Sequence, residues 1–322
     1  MAVPFILDTD SAQDDCVAIL FGLLDPAADL RAITMVAGNV GFDRQVHNAA
    51  MTLAVADKVG ACPIHLGCSR PLMRAWEGAE DVHGDGSGGL SMDVPDGMVS
   101  NEGAVDALLR MTSEEPGELS IVAIGPLTNI AAACIADRTF PQRVKSLYIM
   151  GGSNNGRGNI TAAAEFNFYV DPEAAQIVFD AGFSDVVVLT WDPVTLTDAL
   201  LPRLDYEELC AIDTPIARFF KALCDHTLAY DESVGVPGST HPDSMTLQCL
   251  VHPELILAEA PYRVDVETTS ALTRGYSAMA WDKFEATANA RVIERADSAA
   301  FFARLRALLE THTRPVLPIS GL

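Results

Sequence analysis

Short apolar runs alternate with amphipathic segments along most of the chain. Val3 to Leu7 reads as a buried strand, and Cys16 to Phe21 continues as an apolar helical face. Leu30 to Ala37 predicts a second strand, Gln45 to Val59 an Ala-rich amphipathic helix, and Ile64 to Leu66 a short third strand. The rhythm resumes with a helix over Asn101 to Thr112, a strand over Leu119 to Ile124 and a helix through Ile135. A strand over Val144 to Met150 follows, Pro172 suits a helix's first turn, and Asp185 to Trp191 is the last clear strand. Such alternation predicts an α/β fold: a single-domain, open, mostly parallel, doubly wound Rossmann-like sheet over residues 1–322, with its site at the strand C-terminal ends. No internal repeat or linker divides it.

Two stretches break the rhythm. Residues 69 to 103 are rich in Gly, Pro and Asp and read as a lid or binding loop, or as a plain surface insertion. Within them Gly84-x-Gly86-x-x-Gly89 matches a dinucleotide fingerprint in form only. No strand precedes it, and Glu80, Asp81 and Asp85 would repel a pyrophosphate. The second stretch, residues 230 to 244, follows a mostly helical region that reaches about Leu228. Beyond it Tyr262 to Thr269 and Tyr276 to Trp281 predict a late hairpin, and Ser298 to Leu309 a closing helix.

The densest chemistry lies just after the first strand, where Asp8, Asp10, Asp14 and Asp15 fall within eight residues on a strand-to-helix turn. Two like charges about 5 Å apart repel by roughly 3 kcal/mol at an effective dielectric of about 20. A helix N-terminus returns only about 0.3–1 kcal/mol per acid. That deficit points to a bound cation or to carboxyls held protonated; an acidic cap on a solvated loop is the plainer alternative. Oxygen donors without Cys or His favour calcium or magnesium over zinc.

Composition narrows the partners. At 322 residues and 49% hydrophobic content there is ample core, while a formal charge of −23 argues against nucleic acid and anionic membranes. The four lysines, Lys58, Lys145, Lys221 and Lys283, lie in no P-loop context. Cys16, Cys62, Cys68, Cys134, Cys210, Cys224 and Cys249 form no Cys-x-x-Cys pair and read as buried, reduced thiols. No apolar run reaches the ~18 residues of a membrane span, so a cytoplasmic protein is expected.

Asp8-Thr9-Asp10-x-x-x-Asp14-Asp15, Val36-Ala37-Gly38-Asn39-Val40, Gly125-Pro126-Leu127-Thr128-Asn129 and Glu165-Phe166-Asn167 with Asp171-Pro172-Glu173-Ala174-Ala175 together resemble the nucleoside hydrolases, calcium-dependent N-ribohydrolases. The resemblance runs in order from residue 6 to about residue 245. It implies that Asp10, Asp15, the main-chain carbonyl of Ile124 and Asp243 hold Ca²⁺, with Asp10 as general base. It implies equally that Asp14, Asn39, Asn159, Glu165 and Asn167 grip the ribose, that Met150 lines the pocket, and that His83 belongs to the first active-site loop. The substrate would be a ribonucleoside, cleaved to ribose and base, and the assembly a homodimer or homotetramer.

The residue chemistry agrees. A ribose is a neutral polyol, and carboxylate and amide side chains at several strand ends suit its hydroxyls. Calcium accepts six to eight oxygens, which leaves room for sugar hydroxyls beside the protein's own.

Two departures stand out. Ser11-Ala12-Gln13 replaces the family's frequent Pro-Gly after Asp-Thr-Asp, with the acids keeping their spacing. Pro242 stands where many members place a histidine before the last calcium aspartate, and His241 lies one residue upstream. His241 is thus one candidate for the leaving-group acid, with Tyr230 and His226 as others, and Trp76 or Trp191 could stack on the base. Two rival readings remain: a nucleoside-binding protein that has lost turnover, suggested by Pro242, and an Asp-x-Asp phosphohydrolase, which Asp8-Thr9-Asp10 mimics but which wants a phosphate-facing lysine.

Overall fold

The computed structural model describes residues 2–95, 97–284, 286–315 and 317–322. Its strands are β1 (Val3–Thr9), β2 (Ala28–Met35), β3 (Ile64–Leu66), β4 (Ser120–Ala123), β5 (Leu147–Met150), β6 (Val186–Leu189), β7 (Leu200–Pro202), β8 (Gly238–Thr240), β9 (Ile256–Val266), β10 (Ser277–Ala280) and β11 (Ala290–Ala296). The helices are α1 (Gln13–Leu24), α2 (Phe42–Val55), α3 (Glu80–His83), α4 (Ala104–Glu114), α5 (Thr128–Ala136) and α6 (Phe140–Arg143), then α7 (Phe166–Val170), α8 (Pro172–Asp180), α9 (Arg203–Cys210), α10 (Pro215–Ser233), α11 (Pro242–Val251) and α12 (Ser298–Leu309).

Nine strands form one sheet in the order β10-β9-β11-β6-β5-β4-β1-β2-β3. From β3 to β11 every pairing is parallel, and β9 and β10 add an antiparallel border. The expected doubly wound sheet and late hairpin are therefore present. Helices cover both faces because the central strands are apolar on both sides: Phe5 and Leu7 pack into one cluster with α1, α2 and α11, while Ile6, Ile121 and Ile149 pack into a second with α5 and α8. Strand order reverses between β1 and β4. The chain leaves both strands there, which opens a crevice at their C-terminal ends.

Residues 230 to 244 are not one irregular loop. α10 continues to Ser233, β8 pairs with β7, and α11 starts at Pro242. Buried Phe219, Phe220, Leu223 and Leu228 extend α10's apolar face, and Pro242 takes the first turn of α11, where its missing N–H costs nothing. β11 is a strand that alternation alone does not reveal, because Arg291, Glu294 and Arg295 interrupt it. Arg291 pairs with Asp185 at 2.8 Å and Arg295 with Asp198 at 3.1 Å.

Each border strand has a backbone group capped from outside the sheet. At β10 the side chain of Asn155 accepts from Met279 N at 3.2 Å and donates to Met279 O at 2.7 Å, taking the place of a tenth strand. At β3, Ser100 N donates to Ile64 O at 2.8 Å.

The Gly84–Gly89 run has a packing explanation. Gly88 has φ +60°, and a Cβ there would run into the carbonyl of Ala222 on α10. Gly88→Ala is expected to cost about 2–4 kcal/mol through strain and lost contact, read by urea unfolding. An unchanged midpoint would show that this loop does not depend on the close approach.

Candidate active site

A cavity of about 510 Å³ opens over the ends of β1, β4 and β5. Its wall includes Asp14, Asn39, His83, Ile124, Met150, Asn159, Glu165, Asn167, Tyr230 and Asp243. Residues from nine segments thus meet at the crevice. Asp10 and Asp15 lie beneath its floor, with almost no exposure.

Hydrogen bonds hold Asp8, Asp10 and Asp15 in the floor. Asp15 accepts from Thr9 Oγ1 at 2.6 Å, from Ala12 N at 3.1 Å and from Asn39 Nδ2 at 3.2 Å, closing the first turn of α1. Ser11 and Ala12 thus still form the turn, with Ala12 as N-cap. Asp10 Oδ2 accepts from Asn39 N at 2.8 Å, while its Oδ1 is buried without a partner. Gly38 and Gly125 flank that carboxylate so closely that a Cβ on either would strike it. Deeper still, Asp8 accepts from Thr34 at 2.6 Å and Asn129 at 2.7 Å, and burial pushes its carboxyl up to about 7.

Two further acids tie the floor to later elements. Asp14 caps α11, accepting from Asp243 N at 2.7 Å and from Ser244 N at 3.1 Å. Glu165 caps α7, accepting from Asn167 N and Gly152 N, each at 2.8 Å; burial nevertheless raises its carboxyl to about 7. Asn167 Nδ2 donates to the carbonyls of Ile124 at 3.0 Å and Met150 at 3.2 Å, tying the ends of β4 and β5 together. Asn159 Oδ1 accepts from Phe166 N at 2.8 Å.

Burial and the Asp15 charge raise Asp10 well above the carboxylate range. Burial also raises Asp15. Burial, then the charges of Asp15, Asp14, Asp10 and Glu165, raise Asp243 likewise. These acids therefore feel one another across the floor, which is the repulsion a cation would relieve. Among the described residues, no group of three or more His, Cys, Asp or Glu side chains forms a ready-made metal cage. The donors nevertheless fit a hard ion: an unpartnered buried carboxylate oxygen on Asp10, neighbouring Asp15 and Asp243, and the Ile124 carbonyl, with oxygen the only donor atom.

Three expectations change in the structure. His241 is absent from the cavity wall and fully buried behind Asp14, so its ring does not face a bound base. Trp76 is also off the wall; its Nε1 donates to Gly38 O at 2.9 Å and it packs on Phe166, whereas Trp191 does line the cavity. His226 sits outside the wall near Gly84. Burial, reinforced by the His226 charge, pushes His83 down to about 4. It is therefore neutral near pH 7.

Gln13, Thr227 and Asp231 also line the cavity, which motif reasoning missed. Thr227 and Asp231 lie four residues apart on the buried face of α10, so polar residues on an otherwise apolar stripe were the available signal. Asp231 accepts from Thr240 Oγ1 at 3.1 Å, and burial raises it to about 6.

Known proteins share both sequence and fold with this chain. The sequence model described as inosine-uridine preferring nucleoside hydrolase matches residues 5–303. The pyrimidine-specific ribonucleoside hydrolase RihA of Salmonella arizonae is 37% identical over 278 residues, covering 85% of this chain and 88% of that protein. Its Escherichia coli counterpart is 36% identical over the same shares. Among solved structures, the plant nucleoside hydrolase PpNRh1 superposes with TM-score 0.84 at 29% identity, covering 96% of this chain and 98% of its own. The purine-preferring ribonucleoside hydrolase of Gardnerella vaginalis gives 0.85 at 26%, with 95% and 99% covered. With the match spanning nearly the whole sheet and the crevice, the chain belongs to the inosine-uridine preferring nucleoside hydrolase family.

Proposed function

We propose that this enzyme hydrolyses the N-glycosidic bond of ribonucleosides, with Asp10 as the base that takes a proton from the attacking water. The observation that carries this role is the unpartnered, buried Asp10 Oδ1 beneath a cavity walled by carboxylates and amides. Asp14, Asn39, Asn159, Glu165 and Asn167 hold the sugar hydroxyls, and Met150 packs against the ring. Asp10, Asp15, Asp243 and the Ile124 carbonyl would hold Ca²⁺. When bound, that ion supplies direct oxygen coordination and Lewis-acid polarisation.

As the bond loosens, positive charge grows on the sugar, and the acidic side chains of Asp14 and Glu165 on the cavity wall offset it. Tyr230 lines the cavity with its phenol proton retained, since burial and then the charges of Asp81 and Asp231 raise it further, so it can donate to the departing base. His83, neutral, is assigned to base contact. The greater likeness to RihA favours pyrimidine ribonucleosides as substrates. Seven free cysteines and the absence, among the described residues, of a helix able to cross a membrane support action in the cytoplasm, and the family resemblance supports a homodimer or homotetramer.

The test is release of reducing sugar from uridine, cytidine, inosine and adenosine, with and without a chelator. Expected are turnover on uridine and cytidine at least about tenfold above the purines in kcat/KM, and its loss on chelation. Ribose-dependent binding without any sugar release would instead favour a binding protein.

A further inference from the structure

His241 is the N-cap residue of α11, and Pro242 after it lines the cavity while the histidine turns inward. Its ring is sealed: it stacks on Phe220 at 5.6 Å between centroids with 22° between planes, and Phe302 closes the edge at 6.2 Å. Nδ1 lies 3.1 Å from Asp14 Oδ1, the oxygen that also accepts from Ser244 Oγ at 2.8 Å. Nε2 is buried without a partner. A proton on Nδ1 is the arrangement that satisfies a carboxylate there.

Resting on the function proposed above, we infer that His241 is a positioning residue: its Nδ1–H fixes the Asp14 carboxylate that both grips the ribose and caps the helix carrying Asp243, and it does not protonate the leaving base. Asp14 lies on the cavity wall while the ring has no exposure and is absent from that wall, so Nε2 does not reach a bound base. The hydrogen bond serves substrate and transition state alike, so its loss raises KM more than it lowers kcat.

The test compares His241→Asn, His241→Gln and His241→Phe on uridine and on 4-nitrophenyl β-D-ribofuranoside, whose phenolate leaves without protonation. Asn returns an N–H at the Nδ1 position, Gln returns one only at the Nε2 position, and Phe keeps the stacking without a donor. Expected is a KM rise of about 10- to 100-fold for Gln and Phe, equal on both substrates, with Asn recovering most of it. Thermal melts monitor folding; should Phe not fold, the Asn and Gln pair decides alone. Two results overturn the inference: Asn as impaired as Gln, in activity or folding, or variants that lose kcat on uridine yet cleave the aryl riboside normally. Wild-type protein that releases no sugar from either substrate would defeat the nucleosidase reading itself and is distinguishable from both.

Discussion

Asp10→Asn is expected to lower kcat on uridine by about 10³- to 10⁴-fold while the fold persists. The amide is isosteric, so Asn39 N keeps an acceptor at the position Oδ2 now fills, and the glycine walls of Gly38 and Gly125 still fit around it. What disappears is the only oxygen of that carboxylate without a partner, and with it the acceptor for a proton. In calcium-free buffer the variant should melt at or above the wild-type temperature, because a neutral side chain no longer repels Asp15. Steady-state kinetics and circular dichroism check both halves. A variant within about tenfold of wild-type kcat would remove Asp10 from the base role.

The second large effect is the response to Ca²⁺ at different pH. Asp10, Asp15 and Asp243 have folded pKa values raised above those of the unfolded chain. In the ion-free protein, such groups retain protons that the unfolded chain releases. Their contribution to stability is thus fullest below the ordinary carboxylate range and declines as pH rises through the raised values. Calcium acts in the opposite sense, since it needs the ionised carboxylates and must displace those protons.

At pH 8 and a calcium concentration of about 100–1,000 times Kd, stabilisation is about 3–4 kcal/mol. For a chain of 322 residues that corresponds to a rise in Tm of roughly 4–6 °C. At pH 5 the rise should nearly vanish, and calorimetry near neutral pH should register proton release on binding. An equal shift at both pH values, or none at pH 8, would sink the assignment of these carboxylates to a cation.

How much of this is legible in the sequence depends on how locally each feature is encoded. Four acids in eight residues after an apolar run mark the turn from β1 into α1 without any tertiary information. The parallel sheet is equally local, since β1, β2 and β4 to β6 are short apolar runs, and their ends carry Asn39, Ile124 and Met150 to one crevice. What escapes reading is what depends on contacts distant in sequence. β11 reads as polar until Asp185 and Asp198 neutralise its arginines. The inward turn of His241 depends on Pro242 starting a helix and on Phe220 and Phe302 receiving the ring. Thr227 and Asp231 look like ordinary helix polarity until α10 is seen to form the cavity wall.

The carboxamide of Asn155 on Met279 of β10, and Ser100 on Ile64 of β3, occupy backbone groups at the two margins of the great sheet that a foreign strand would need. At those two points continuous β structure across two subunits has nowhere to start. The same plugs guard against runaway stacking into fibrils, a hazard that nine strands would otherwise invite.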